Sequence, residues 1–173
     1  VPGLALRAGA AYAHHDVDTR RSVAFPGLAD SLAADGSART LQVFGELGWP
    51  WQTAGSVALE PFAGLAVVRL RNASVQERGG AAALAVGGDS VQTTFTTLGL
   101  RASTTVNLGP GQATLRGMAG WRHAAGDQVP TASVAFAGGA AFTVAGTPVP
   151  RNLAVVEAGL DFALQRHVSL GIG

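Results

Sequence analysis

The chain has 173 residues, of which 47% are apolar and only 13% charged, with a formal net charge of +1. That length suits one domain, and the balance argues against a highly charged disordered chain and gives a nucleic-acid-binding surface no support. No cysteine is present, which excludes a disulfide framework, a Cys-ligated zinc site and a thiol nucleophile. No stretch approaches the roughly 18 uninterrupted apolar residues of a transmembrane helix. An apolar chain without an apolar helix leaves a Gly- and Ala-rich soluble β-protein or a membrane β-barrel, whose apolar residues are diluted by alternation.

In chain order, period-two alternation predicts seven strands, near residues 3–15, 38–49, 57–70, 92–106, 113–124, 153–164 and 168–173. The second strand sets Leu41, Val43 and Leu47 against a polar side that includes Glu46. The fourth and fifth set Leu100 and Leu115 against Arg101, Arg116 and Arg122. The sixth sets Val156, Leu160 and Phe162 against Glu157 and Asp161. With Arg7 and Glu60 on the first and third strands, these sets predict two faces. Leu41, Val43, Leu47, Leu100, Leu115, Val156, Leu160 and Phe162 are expected to meet lipid. Arg7, Glu46, Glu60, Arg101, Arg116, Arg122, Glu157 and Asp161 are expected to line a wet lumen.

The connections alternate in length. Pro50–Ser56, Asn107–Gln112 and Gln165–His167 are short, whereas Asp16–Ser37, Arg71–Val91 and Ala125–Asn152 are long. Short turns at one end and long loops at the other are the asymmetry of outer-membrane barrels. An apolar band about 25 Å tall needs about 10 residues per tilted strand, and the complete predicted strands meet that length, whereas the last, 168–173, stops halfway. Tyr12, Trp49, Trp51 and Trp121 near strand ends fit interfacial girdles. Glu60 and Arg69 have opposite parity, which predicts either a bulge in the third strand or an Arg69 above the membrane. Ala81–Val86, bounded by Gly pairs, reads as loop. Ala125–Asn152 reads as an extended hairpin turning at Gly138-Gly139. Seven strands cannot close a bacterial single-chain barrel, which takes an even number, so residues 1–173 are expected to be an incomplete barrel lacking strands at both ends.

Little in the chain points to catalysis or to a cofactor. Gly87-Gly88-Asp89-Ser90-Val91 is similar to the Gly-Asp-Ser block of one lipase and esterase family, but no Asp-x-x-His follows it, so no base is in place for the serine. His14 and His15 are adjacent, and on a strand they point to opposite faces. His123 and His167 have no metal-ligand spacing, so no metal or cofactor is expected. The acids and arginines are interspersed over many strands, which favours ion pairs along a lumen over a catalytic carboxylate pair. If Ala13 faces Thr40, Arg7 lies beside Glu46, and Arg116 approaches Glu157 or Asp161 in the same way.

Arg39–Gly48, Glu60–Ala66, Gly120–Ala124 with Gly126-Asp127, Pro130–Phe136 and Glu157–Asp161 together span most of the chain. In their order and spacing they resemble the autotransporter β-domain, the translocator of Gram-negative type V secretion. The resemblance implies an all-β, antiparallel, up-and-down outer-membrane barrel of twelve strands, of which the present seven look like the fifth through eleventh. It further implies a non-enzymatic domain that anchors in outer-membrane lipid and helps export its own N-terminal passenger, whose linker occupies the lumen. The barrel assembly machinery is an implied partner, and no nucleic acid is. A passive outer-membrane pore or structural barrel is the alternative.

Overall fold

The computed structural model describes residues 3–53, 55–108, 111–165 and 168–172. Twelve strands run through them in chain order: β1 (Ala5–Phe25), β2 (Leu28–Gly48), β3 (Trp51–Gln52), β4 (Val57–Asn72), β5 (Val75–Gln76), β6 (Leu84–Val86), β7 (Asp89–Leu108), β8 (Gly111–Gly126), β9 (Thr131–Phe136), β10 (Phe142–Ala145), β11 (Asn152–Gln165) and β12 (Val168–Ile172). The main sheet is an antiparallel meander in the order β1-β2-β4-β7-β8-β11-β12, with β3 added beside β4. Each long strand pairs with the next long strand of the sequence, as local connections favour. The meander is one half of a barrel wall, with β1 and β12 at its two edges.

The seven strands of the meander coincide in place with the seven predicted from alternation, and the first six run further. The segment Asp16–Ser37, read from sequence as a long loop, is instead continuous ladder. β1 and β2 stay paired without a register shift from Ala5↔Gly48 to Phe25↔Leu28. Pro26 and Gly27 alone form the turn, and Gly27 takes φ +93°, the positive value that a Pro-Gly turn requires at its second central position. At about 3.3 Å per residue, a strand of 21 residues far exceeds what an apolar band about 25 Å tall demands. The outer half of this hairpin therefore projects beyond that band.

A second, four-stranded sheet in the order β10-β9-β6-β5 occupies the loop end. Ala125–Asn152 supplies the β9–β10 hairpin, with Gly138 at φ +71° between the two strands. Ala81–Val86, expected as loop, contributes strand β6 at Leu84–Val86, which pairs with both β5 and β9. The small sheet docks on one face of the projecting hairpin. There Leu32 and Ala34 are buried, Ala33 bridges to Arg78, and the Ala82 N–H donates to Asp30 at 2.8 Å. Arg21 of β1 grips Glu77 through two hydrogen bonds of 2.8 and 2.6 Å, and the Leu84 N–H donates to the same carboxylate.

Arg21 holds the Glu77 carboxyl below the usual carboxylate range, with burial opposing the effect and the Leu84 N–H assisting it. A depressed folded pKa adds stability above the unfolded value, near 4.3, and loses it as pH falls through the folded value. The docked sheet should therefore withstand mild acid and open only below the ordinary glutamate range. Hydrogen exchange of residues 75–86 across an acid titration checks this, and opening near neutral pH would contradict it. Above the glutamate range Glu77→Ala should loosen the dock by about 1–3 kcal/mol, because the Leu84 N–H loses its acceptor, and the difference should shrink once acid protonates the wild-type carboxyl.

Candidate functional site

Register alone sorts the predicted residues. Arg7 faces Glu46, Glu60 faces Arg101, Arg122 faces Thr97, and Glu157 faces Met118, with Arg116 and Asp161 in step along β8 and β11. Unshifted ladders from β1 to β8 and β11 put all eight of these polar residues on one face of the sheet. Leu41, Val43, Leu47, Leu100, Leu115, Val156, Leu160 and Phe162 fall on the other. No other layer covers that second face among the described residues. Val156 is 77% exposed, and Leu41, Val43, Leu47, Leu100 and Leu115 are exposed as well. Tyr12 and Trp121 lie towards the loop end of this apolar face, and Trp49 and Trp51 towards the short-turn end.

On the polar face, Ala13 does pair with Thr40 and Arg7 with Glu46, but the ion pairing extends beyond adjacent strands. Arg7 of β1 donates to Glu46 of β2 at 3.1 Å and reaches across to Glu60 of β4 at 2.7 and 2.9 Å. Arg101 of β7 donates to Glu60 at 2.9 Å and reaches back to Glu46 at 2.7 and 2.6 Å. Two arginines and two glutamates on four successive long strands thus form a closed quartet. The carboxylates keep about 15% exposure. The Arg101 guanidinium also stacks 3.8 Å above the Phe62 ring, itself buried on this face. Gly99 leaves room for that ring: a Cβ there would stand 2.7 Å from Phe62 and 2.9 Å from the Ala119 carbonyl, closer than any side chain tolerates.

Further along the same face, Arg116 forms a two-point pair with Asp161 at 2.7 and 2.9 Å. The two acids predicted for it flank its ladder partner Gly159 symmetrically, and the guanidinium turns to Asp161. A groove of about 700 Å³ lies between the quartet and this pair, lined by Glu60, Arg101, Ser103, Arg116, Met118 and Glu157. Among the described residues Arg122 donates only to the Thr97 hydroxyl, at 3.2 Å. Sequence reasoning missed the quartet as a unit, because alternation shows which face a residue takes and not how far it reaches sideways.

The remaining candidates stay apart. No bulge separates Glu60 from Arg69, since β4 pairs with both neighbours without a register shift. Arg69 sits on the apolar side near the loop end and donates to Ser90 at 3.4 Å. That arginine is the partner found for the Ser90 hydroxyl, in place of the histidine a hydrolase would need. His14 pairs with Asp16 at 3.2 Å, His15 takes the opposite face, and His123 bonds Asn152 at 2.9 Å. His167 lies outside the described residues. No group of three metal-binding side chains converges among the described residues.

A long antiparallel meander with one uncovered apolar face and one ion-paired face is a membrane β-barrel wall. The chain belongs to the autotransporter beta-domain family, whose model matches residues 2–173. Its fold is therefore that of the outer-membrane translocator barrels of Gram-negative bacteria. Two proteins of Serratia marcescens, each named an extracellular serine protease, are 42% and 40% identical to it over 171 residues. That alignment covers 98% of this chain and 16% of each relative.

Proposed function

We propose that the polar face lines the lumen through which a linked passenger segment reaches the cell surface, while the apolar face meets lipid. What carries this reading is the contrast between faces: the Arg7–Glu46–Arg101–Glu60 quartet on one and an uncovered Leu- and Val-rich surface on the other. Paired charges of both signs keep a channel wet without a net field, so an extended chain can pass without sticking to either sign. The domain itself performs no chemistry. The passenger is an extracellular serine protease, a reading that rests on the names of the two relatives. Residues 1–173 form an incomplete barrel, and the full barrel is inserted by the barrel assembly machinery.

Residues 1–173 contain no cysteine, so single cysteines introduced here report their own sites in native outer membranes once any cysteine elsewhere in the full-length protein is replaced. Single cysteines at Leu100 and Val156 should react with a bilayer-soluble maleimide and resist a charged one. Cysteines at Thr105 and Glu157 should do the reverse. Matching reactivity at all four sites would sink the assignment of faces.

A further inference from the structure

The apolar face ends abruptly at the loop side. Above Leu41 on β2 stands Arg39, and above Val67 on β4 stand Arg69 and Arg71. Arg39 and Arg71 are directly opposite each other in the ladder, and Arg69 is opposite Leu41, one step along. All three are exposed. Among the described residues none of them forms an ion pair, and Arg69 has only the Ser90 hydroxyl. Elsewhere Arg7, Arg21, Arg101 and Arg116 hold carboxylates, while Arg122 and Arg151 bond Thr97 and Gln128. The acids nearest on this face are further out. Asp16 is paired to His14, and Asp18 faces Asp35 beyond it.

Like charges directly opposite in an antiparallel pair repel, and an anion between Arg39 and Arg71 relieves that repulsion. Position selects that anion. The cluster borders the apolar band beside Tyr12, which faces Leu41, at the depth where hydrocarbon gives way to headgroups. Guanidinium groups bind phosphate through paired N–H donors. We propose that Arg39, Arg69 and Arg71 form a binding site for the phosphate groups of outer-leaflet lipid. The site rests on the reading that the apolar face meets lipid, and it fixes the depth and rotation of this part of the wall.

The test uses the full-length protein in phosphatidylcholine nanodiscs titrated with fluorescent diphosphorylated lipid A. R39Q/R69Q/R71Q should weaken binding on the order of a hundredfold, at roughly fivefold per arginine near an anionic surface. R78Q, in the segment between β5 and β6, should leave it unchanged. Dephosphorylated lipid A should bind wild type as poorly as the phosphorylated lipid binds the triple variant. Equal affinity of wild type for the two lipids overturns the site, and this comparison decides the matter if the triple variant fails to fold. Inorganic phosphate competing as well as the lipid overturns the lipid assignment. A cysteine at Leu100 that still takes the bilayer-soluble maleimide while lipid A is ignored removes this site alone. Loss of both removes the reading of the faces.

Discussion

Arginine at Leu100 should lower the folding free energy of the complete barrel in a bilayer by about 2–4 kcal/mol, whereas arginine at Thr105 should cost about 0.5 kcal/mol or less. Leu100 sits inside the apolar band of β7, between Leu98 and Val106 on the same uncovered face. A charge there loses its water and gains no partner, since no polar side chain stands opposite: its neighbours are Pro61 and Ala119. Thr105 points to the polar face, where its hydroxyl already bonds that of Thr114 at 3.0 Å. It is also a cleaner control than Ser103 or Gly159, both of which register on Arg116 and would place a new arginine against an existing one. Leu160→Arg on β11 repeats the test on a second strand. Urea titration of the full-length protein in phospholipid vesicles gives the difference directly. Equal costs at Leu100 and Thr105 would mean that both faces are wet, and the membrane reading of the apolar side would fail.

The sequence carried the long strands because a wall between lipid and water imposes a two-residue alternation wherever it crosses the bilayer. The same logic explains what it hid. Between Asp16 and Ser37 the strands leave the membrane, and the face opposite the docked sheet is polar, with Asp16, Asp18 and Arg20 on β1 and Ser31 and Asp35 on β2. No lipid remained to enforce contrast, so a continuous ladder looked like a loop. Strand β6 is three residues long and exists because β5 and β9 flank it, a tertiary cause that a window on Ala81–Val86 does not contain. For the polar face, parity assigned the eight side chains to one side. The choice of Asp161 over Glu157, which stand symmetrically about Gly159 opposite Arg116, and the reach of Arg7 and Arg101 past their immediate neighbours are set by where each guanidinium turns, which parity does not carry.

That reach sets the other large expectation. Arg101→Ala should destabilise the barrel by about 2–3 kcal/mol, more than the 0.2–1 kcal/mol of a single solvated cross-strand pair. The variant removes four things together: the paired hydrogen bonds to Glu46, the bond to Glu60, the stack on Phe62, and the charge that separates two carboxylates. Glu46 and Glu60 would then share Arg7 alone. The cost should stay below the roughly 3–5 kcal/mol of breaking a fully buried pair, because both glutamates keep a little contact with water. Arg101→Lys should recover only part of the loss, since an ammonium group cannot meet both carboxylates as a planar fork does. A double-mutant cycle between Arg101 and Glu46 should give a coupling near 1–2 kcal/mol, inside the range for residues that share one network. A coupling near zero would mean that the four residues are independent surface charges, and the quartet would then contribute only wetness to the lumen. A coupling that vanished in Glu60→Gln would show the opposite, that the four side chains act as one clasp across β1, β2, β4 and β7 and hold the register of the wall against the traffic beside it.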